Sequence, residues 1–310
     1  MKISANFFLA SLLLSSLCVA ASAGIIEDVR NSIAQKNYSL AEKQLRDYRA
    51  QYGDSPESVE ALSWMGRGAL GDKQYGKAIV YARQTEQLSL QQLKRRPLDA
   101  EPHLPIALGA AFEVEAQAMA AKGNRAEALL LLHRALKTYN ATSIRTRIQK
   151  NINLLGMEGK PAPALDESEY LGPRPASLNS YRGRPVLLFF WAHWCVDCKH
   201  EEPVLEKINA EFQPKGLAIL GPTQRYGYAA RGEDASPQAE LQYIDDVRQK
   251  FYAGLSGMPV PVSQENFKNY GASTTPTLVL LDRHGRVADY HPGFMAYDDL
   301  RARIEKLLAQ

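Results

Sequence analysis

Cysteine is nearly missing from this chain: Cys18, Cys195 and Cys198 are all there are among 310 residues. So few cannot form the set of bridges that staples small secreted domains, so the core must come from apolar packing. A hydrophobic content of 45% is ample for that, and the length suits about two domains. Strong charge of one sign is lacking too. There are 37 basic and 34 acidic residues, a net charge of +3, and the longest basic run is Lys94-Arg95-Arg96. Such a balance gives no reason to expect nucleic acid or an anionic membrane as partner.

A long apolar run is also absent. The chain begins MKISANFFLASLLLSSLCVAASA, whose apolar stretch from Phe7 to Ala20 is about 14 residues and is broken by serines. A membrane span needs about 20. One early lysine, a short apolar core and Ala21-Ser22-Ala23 form the pattern of a secretory signal cleaved after Ala23. An uncleaved anchor is the alternative. Leu17, where a lipoprotein signal needs a small residue, argues against lipidation of Cys18. The expectation is therefore signal peptide 1–23, then an exported protein without stable membrane insertion. In a bacterium it would lie in the periplasm or cell envelope. Only Cys195 and Cys198 then remain.

Two textures follow. From Ile25 to about Leu155 proline is scarce, and apolar residues recur at three- and four-residue steps, as in Ala126, Leu129, Leu130, Leu132 and Ala135. KNYSLAEKQL, KQYGKAIVYA and KGNRAEALLL begin at Lys36, Lys73 and Lys122. Each reads as the turn and second-helix start of a hairpin of tetratricopeptide kind, with Trp64 and Gly68 preceding the second copy. The spacings of 37 and 49 residues exceed the usual 34 and require insertions. A helical-hairpin domain over 24–155 is expected. Its stacked hairpins offer a concave protein-binding face, and a bundle without a partner is the plainer reading.

GMEGKPAPALDESEYLGPRPASLN then brings Pro161, Pro163, Pro173 and Pro175 among glycines and polar residues, as in a linker. Beyond it strands and helices alternate over 156–310. VLLFFW is continuously apolar, fit for a strand covered on both faces. The pattern β-α-β-α-β-β-α ends with a helix through Leu300, Ile304 and Leu307 and indicates an α/β sandwich. At its start, FFWAHWCVDCKHEEP places Cys195 after a buried strand and at the first turn of a helix. Unpaired backbone N–H groups and the helix dipole there stabilise a thiolate. Cys198 lies one turn on, close enough to close a small ring. Cys195 is thus the attacking thiol and Cys198 the resolving one in thiol-disulfide exchange.

On these residues 157 to 310 resemble the thioredoxin fold, and most nearly the TlpA/ResA-like exported thiol-disulfide oxidoreductases of the redoxin superfamily. WAHWCVDCK is similar to that group's W-A-x-W-C-x-x-C-K, and CKHEEP, GKPAPALD and STTPTLVLLDRHGRV to its other signatures. The resemblance implies a cis Thr275-Pro276 bond beside the cysteines that leaves the Thr275 backbone free for an extended substrate, with Trp194 flanking and shielding the pair. It implies a disulfide-bearing exported protein and an electron-donor thiol protein as partners, and neither organic cofactor nor metal. Three features depart from the pattern. Phe189 stands where thioredoxin has a buried aspartate, so Glu201 is the substitute proton acceptor, although a helical glutamate is ordinarily solvated. Asp197 opposes a thiolate at Cys195 while His193, Lys199 and His200 favour it, so the redox direction is not legible. The stretch 224–255 is long, and Tyr226, Tyr228 and Tyr252 are either substrate-facing or simply packed.

Rival readings are weaker. A redoxin peroxidase needs proline and threonine where this chain has Leu188 and Ala192. His193, Cys195, Cys198 and His200 resemble a metal set in type but not in spacing; solvated histidines are the plainer account. An adaptor that has lost chemistry would not need the pair. The expected protein is therefore a reductant of disulfides in other exported proteins.

Overall fold

The computed structural model describes residues 24–309; the expected signal peptide, 1–23, lies outside the described residues. Seven helices come first: α1 (Ile25–Ala34), α2 (Tyr38–Tyr52), α3 (Pro56–Gly71), α4 (Tyr75–Leu93), α5 (His103–Ala121), α6 (Arg125–Tyr139) and α7 (Arg145–Gly156). They pair as the hairpins α1/α2, α3/α4 and α5/α6, while α1, α3, α5 and α7 pack side by side.

The sequence repeat proves to be one turn used three times. The N–H groups of Asn37, Gln74 and Asn124 donate to the carbonyls of Ser32, Ala69 and Met119, at 2.9, 2.8 and 2.9 Å. Such a bond closes a helix C-terminus around a residue in left-handed conformation. That residue is Lys36 (φ 58°), Lys73 (φ 58°) and Gly123 (φ 92°). The third copy therefore aligns one residue later than its lysine. Its extra spacing is taken up by the 19-residue helices α4 and α5 and the segment joining them.

The second half contains β1 (Tyr170–Leu171), β2 (Val186–Phe190), α8 (Val196–Phe212), β3 (Ala218–Leu220), α9 (Pro237–Phe251), β4 (Val260–Pro261), α10 (Gln264–Tyr270), β5 (Thr277–Leu281), β6 (Val287–Pro292) and α11 (Tyr297–Leu308). The main sheet has the order β3-β2-β5-β6, with β2 parallel to β3 and antiparallel to β5. VLLFF is apolar throughout because both faces of β2 are covered. Leu187 and Phe189 enter a core with Leu205, Ile208, Ile244 and Ile304, whereas Leu188 and Phe190 enter another with Phe267 and Tyr270. The short β1-β4 pair and α10 are additions to the expected order. α10 is capped by Ser263 and ends at Gly271 in left-handed conformation, φ 61°. A β-carbon on Gly271 would lie 2.3 Å from the backbone nitrogen of Lys150, so α7 rests directly on this corner.

Candidate functional site

β2 delivers the chain to Trp191, which is tied down on both sides. Its indole N–H donates to the Gly221 carbonyl at 2.9 Å, and the Thr223 hydroxyl donates to its own carbonyl at 2.9 Å. From this anchor the chain turns so that Cys195 caps α8, its Sγ accepting the Cys198 N–H at 3.0 Å. Cys195 and Cys198 are joined as a disulfide, with Cα atoms 5.3 Å apart. Cys198 is wholly enclosed and Cys195 is 3% exposed, so of the two residues only Cys195 reaches the surface. The same backbone N–H that meets the disulfide would meet a thiolate once the pair is reduced.

The other predicted residues converge here unequally. Trp194 is 46% exposed beside the pair, its ring edge-on to Tyr226 at 5.5 Å. The Thr275–Pro276 bond is cis, and Pro276 is buried. The Pro276 carbonyl accepts from Gly293 at 2.8 Å. Among the described residues the Thr275 backbone finds no hydrogen-bond partner, and its hydroxyl is buried without one. Thr275, Trp194 and Tyr226 line a groove together with Gln224, Lys268 and Thr146. Thr146 belongs to α7. Nothing in its sequence context marks it, because only docking of the helical half brings it here.

Glu201 corrects the expectation of a solvated glutamate. It lies three residues after Cys198 on α8 and is completely buried, because Leu205, Ile208 and Phe212 carry that face into the core. Its Oε2 accepts the Met295 N–H at 3.2 Å and its Oε1 has no partner. Burial, only partly offset by that bond, pushes its pKa up to about 7. Phe189 of β2 and Tyr252 pack edge-on in the same core, their rings 5.7 Å apart. Tyr252 is a core residue, and burial with Glu202 and Glu201 nearby raises its pKa.

His193 is not solvated either. It is 1% exposed, with Nε2 3.3 Å from Glu240 Oε1. A carboxylate only accepts, so Nε2 carries the proton and Nδ1 is left without a partner. Tyr226, Tyr228 and Tyr243 surround the imidazole edge-on at 5.5, 5.3 and 5.3 Å. Burial holds its pKa below the usual imidazole range against the pull of Glu240. It therefore adds no positive charge near Cys195 at neutral pH. His200 is exposed on α8 and faces different surroundings. Sequence reasoning missed Glu240, a buried carboxylate that also accepts the N–H groups of Tyr226 and Gly227. Glu240 pins the long stretch after β3 beside the cysteines, and Tyr226 both packs on His193 and lines the groove.

Residues 178–308 match the model of the thioredoxin-like domain family. Among curated proteins the chain is similar to the thiol-disulfide oxidoreductase ResA of Geobacillus thermodenitrificans, 28% identical over 48% of this chain and 77% of that one. It is also similar to the thioredoxin-like protein YneN of Bacillus subtilis, 26% identical over 48% and 79%. Among solved structures it aligns with the thioredoxin domain of a thiol-disulfide oxidoreductase from Bacteroides vulgatus, 24% identical over 49% of this chain and 97% of that one, at a TM-score of 0.37.

Proposed function

We propose, for a chain whose C-terminal half belongs to the thioredoxin-like family of thiol-disulfide oxidoreductases, that it reduces disulfides in exported proteins. The observation that carries this reading is the Cys195–Cys198 disulfide at the head of α8, with a fully buried Glu201 one turn beyond it.

Reduced Cys195 is held as thiolate by the helix terminus and the Cys198 N–H. Its sulfur attacks one sulfur of a client disulfide; that S–S bond breaks as the mixed disulfide forms, and the departing client sulfur takes up a proton. Glu201, ionised near neutral pH, accepts the proton of the Cys198 thiol. The Cys198 thiolate then attacks Cys195 Sγ, releasing the second client thiolate and restoring the enzyme disulfide. Two electrons have passed from the cysteine pair to the client, and an electron-donor thiol protein must return them. Thr275 pairs with the extended client chain through its open backbone, Pro276 backs it, and Trp194 limits water at the exchanging sulfurs. Export rests on the N-terminal sequence; among the described residues no helix is long and apolar enough to cross a membrane. The helical hairpins, read as tetratricopeptide-like over 24–155, serve partner selection.

The test is a redox titration of the pair in dithiothreitol and glutathione buffers. A reductant has a midpoint near thioredoxin's about −270 mV, whereas one near about −120 mV marks an oxidant that installs disulfides. Absence of a reversible two-electron couple would leave the redox reading without support and favour an adaptor.

A further inference from the structure

The helical half holds positive charge that its own carboxylates leave unanswered. Between α1 and α3 lies a cavity of about 540 Å³ with Arg30, Asn31, Ile33, Trp64 and Arg67 in its wall and Glu27 as its one carboxylate. The guanidinium carbons of Arg30 and Arg67 stand 4.4 and 4.2 Å from the Trp64 ring centroid. Among the described residues neither arginine forms an ion pair. Arg67 has its Nε buried without a partner, and its one hydrogen bond is a long one, 3.4 Å from Nη2 to the Ile106 carbonyl. Beyond the wall, Glu60 and Glu113 are already engaged. Glu60 takes His103 Nδ1 at 2.7 Å, and Glu113 takes Arg147 at 2.8 Å and Lys150 at 3.0 Å. Burial first, then the charges of Arg147 and Arg30, pull the Arg67 pKa down to about 10 against Glu113 and Glu60. A guanidinium desolvated beside like charges is relieved by an incoming anion.

The cavity is also connected to the redox site. Arg147 on α7 donates from Nη1 to the same Ile106 carbonyl, at 3.3 Å. The residue before it, Thr146, lines the groove with Trp194 and Thr275. The Ile106 carbonyl of α5 thus links Arg67 in the cavity wall to α7, which borders only the groove. The wall between α1 and α3 combines guanidinium, indole, amide and aliphatic groups, which suits a peptide bearing carboxylates better than a bare inorganic anion.

We propose that the cradle of Arg30, Trp64 and Arg67 binds an acidic, extended segment of the protein whose disulfide is exchanged. The proposal rests on the oxidoreductase reading for the identity of the partner, but its binding step needs no redox chemistry.

The test is fluorescence anisotropy of a labelled, capped, cysteine-free poly-glutamate peptide on the full chain, with a poly-glutamine peptide of equal length as control. The glutamate peptide is expected to bind, to weaken with added salt, and to bind at least about tenfold more weakly to Arg67→Gln and to Arg30→Glu. Arg30 is exposed, so its substitution leaves the fold intact should Arg67→Gln fail to fold. The Cys195→Ser/Cys198→Ser chain is expected to bind as the wild type does, which separates failure of this inference from failure of the redox reading. Equal binding of the glutamine peptide, or unchanged binding by both arginine variants, overturns the proposal. It is also overturned if inorganic phosphate or phosphatidylglycerol vesicles displace the peptide at equal anion concentration, marking a phosphate or membrane site. A change of sedimentation mass in Arg30→Glu overturns it as well, marking a contact between copies.

Discussion

Glu201 is the residue whose environment most changes its chemistry. In the unfolded chain it titrates near 4.5, and in the folded protein at about 7. The folded state therefore holds a proton that the unfolded state has lost, and stability falls as pH rises from 4.5 to 7. A shift of this size corresponds to about 3 kcal/mol, absent at pH 4 and fully present above pH 8. Glu201→Gln is accordingly expected to match the wild type in urea unfolding at pH 4 and to exceed it by up to about 3 kcal/mol at pH 8. The same variant should slow resolution of the mixed disulfide at neutral pH and lose the rate step near pH 7, seen in stopped-flow thiol exchange. At Cys198, serine should trap the client on Cys195 as an adduct that dithiothreitol releases, visible as a mass increase on a non-reducing gel.

Among the elements, the three hairpin turns share one bonding pattern but not one residue. Lys36 and Lys73 occupy the left-handed conformation that Gly123 adopts freely. Lys73→Gly should therefore stabilise the helical half by about 1 kcal/mol, measured by thermal unfolding followed by circular dichroism. In the stretch after β3 one carboxylate, Glu240, gathers three groups. Glu240→Ala removes the acceptor of Tyr226 N–H, Gly227 N–H and His193 together. Amide exchange at Tyr226 and Gly227 should accelerate sharply, with a stability loss of about 2–3 kcal/mol from the stranded imidazole.

At the scale of the whole molecule, α7 joins the halves. Gly271 gives Lys150 its backbone seat, and Thr146 completes the groove at Trp194 and Thr275. Gly271→Ala would put a β-carbon into that seat and push α7 away. Calorimetry should then resolve two transitions where the wild type shows coupled unfolding, and client exchange should fall more than exchange with a small disulfide.

The amino-acid sequence by itself determined the chemistry and the class of fold. C-x-x-C after a continuously apolar strand, the Thr275-Pro276 dipeptide and the change of periodicity near residue 156 are local patterns, and local geometry alone gives them meaning. Only the tertiary structure decided which polar side chains lost water. Glu201 and His193 look like solvated residues of a helix start, yet α8 packs Glu201 inward, and α9 brings Glu240 against His193. Long-range packing likewise placed Thr146 in the groove with Trp194 and Thr275 and set Arg30 and Arg67 around one indole. Burial and charge compensation depend on elements distant in sequence, and no single stretch of chain contains both partners.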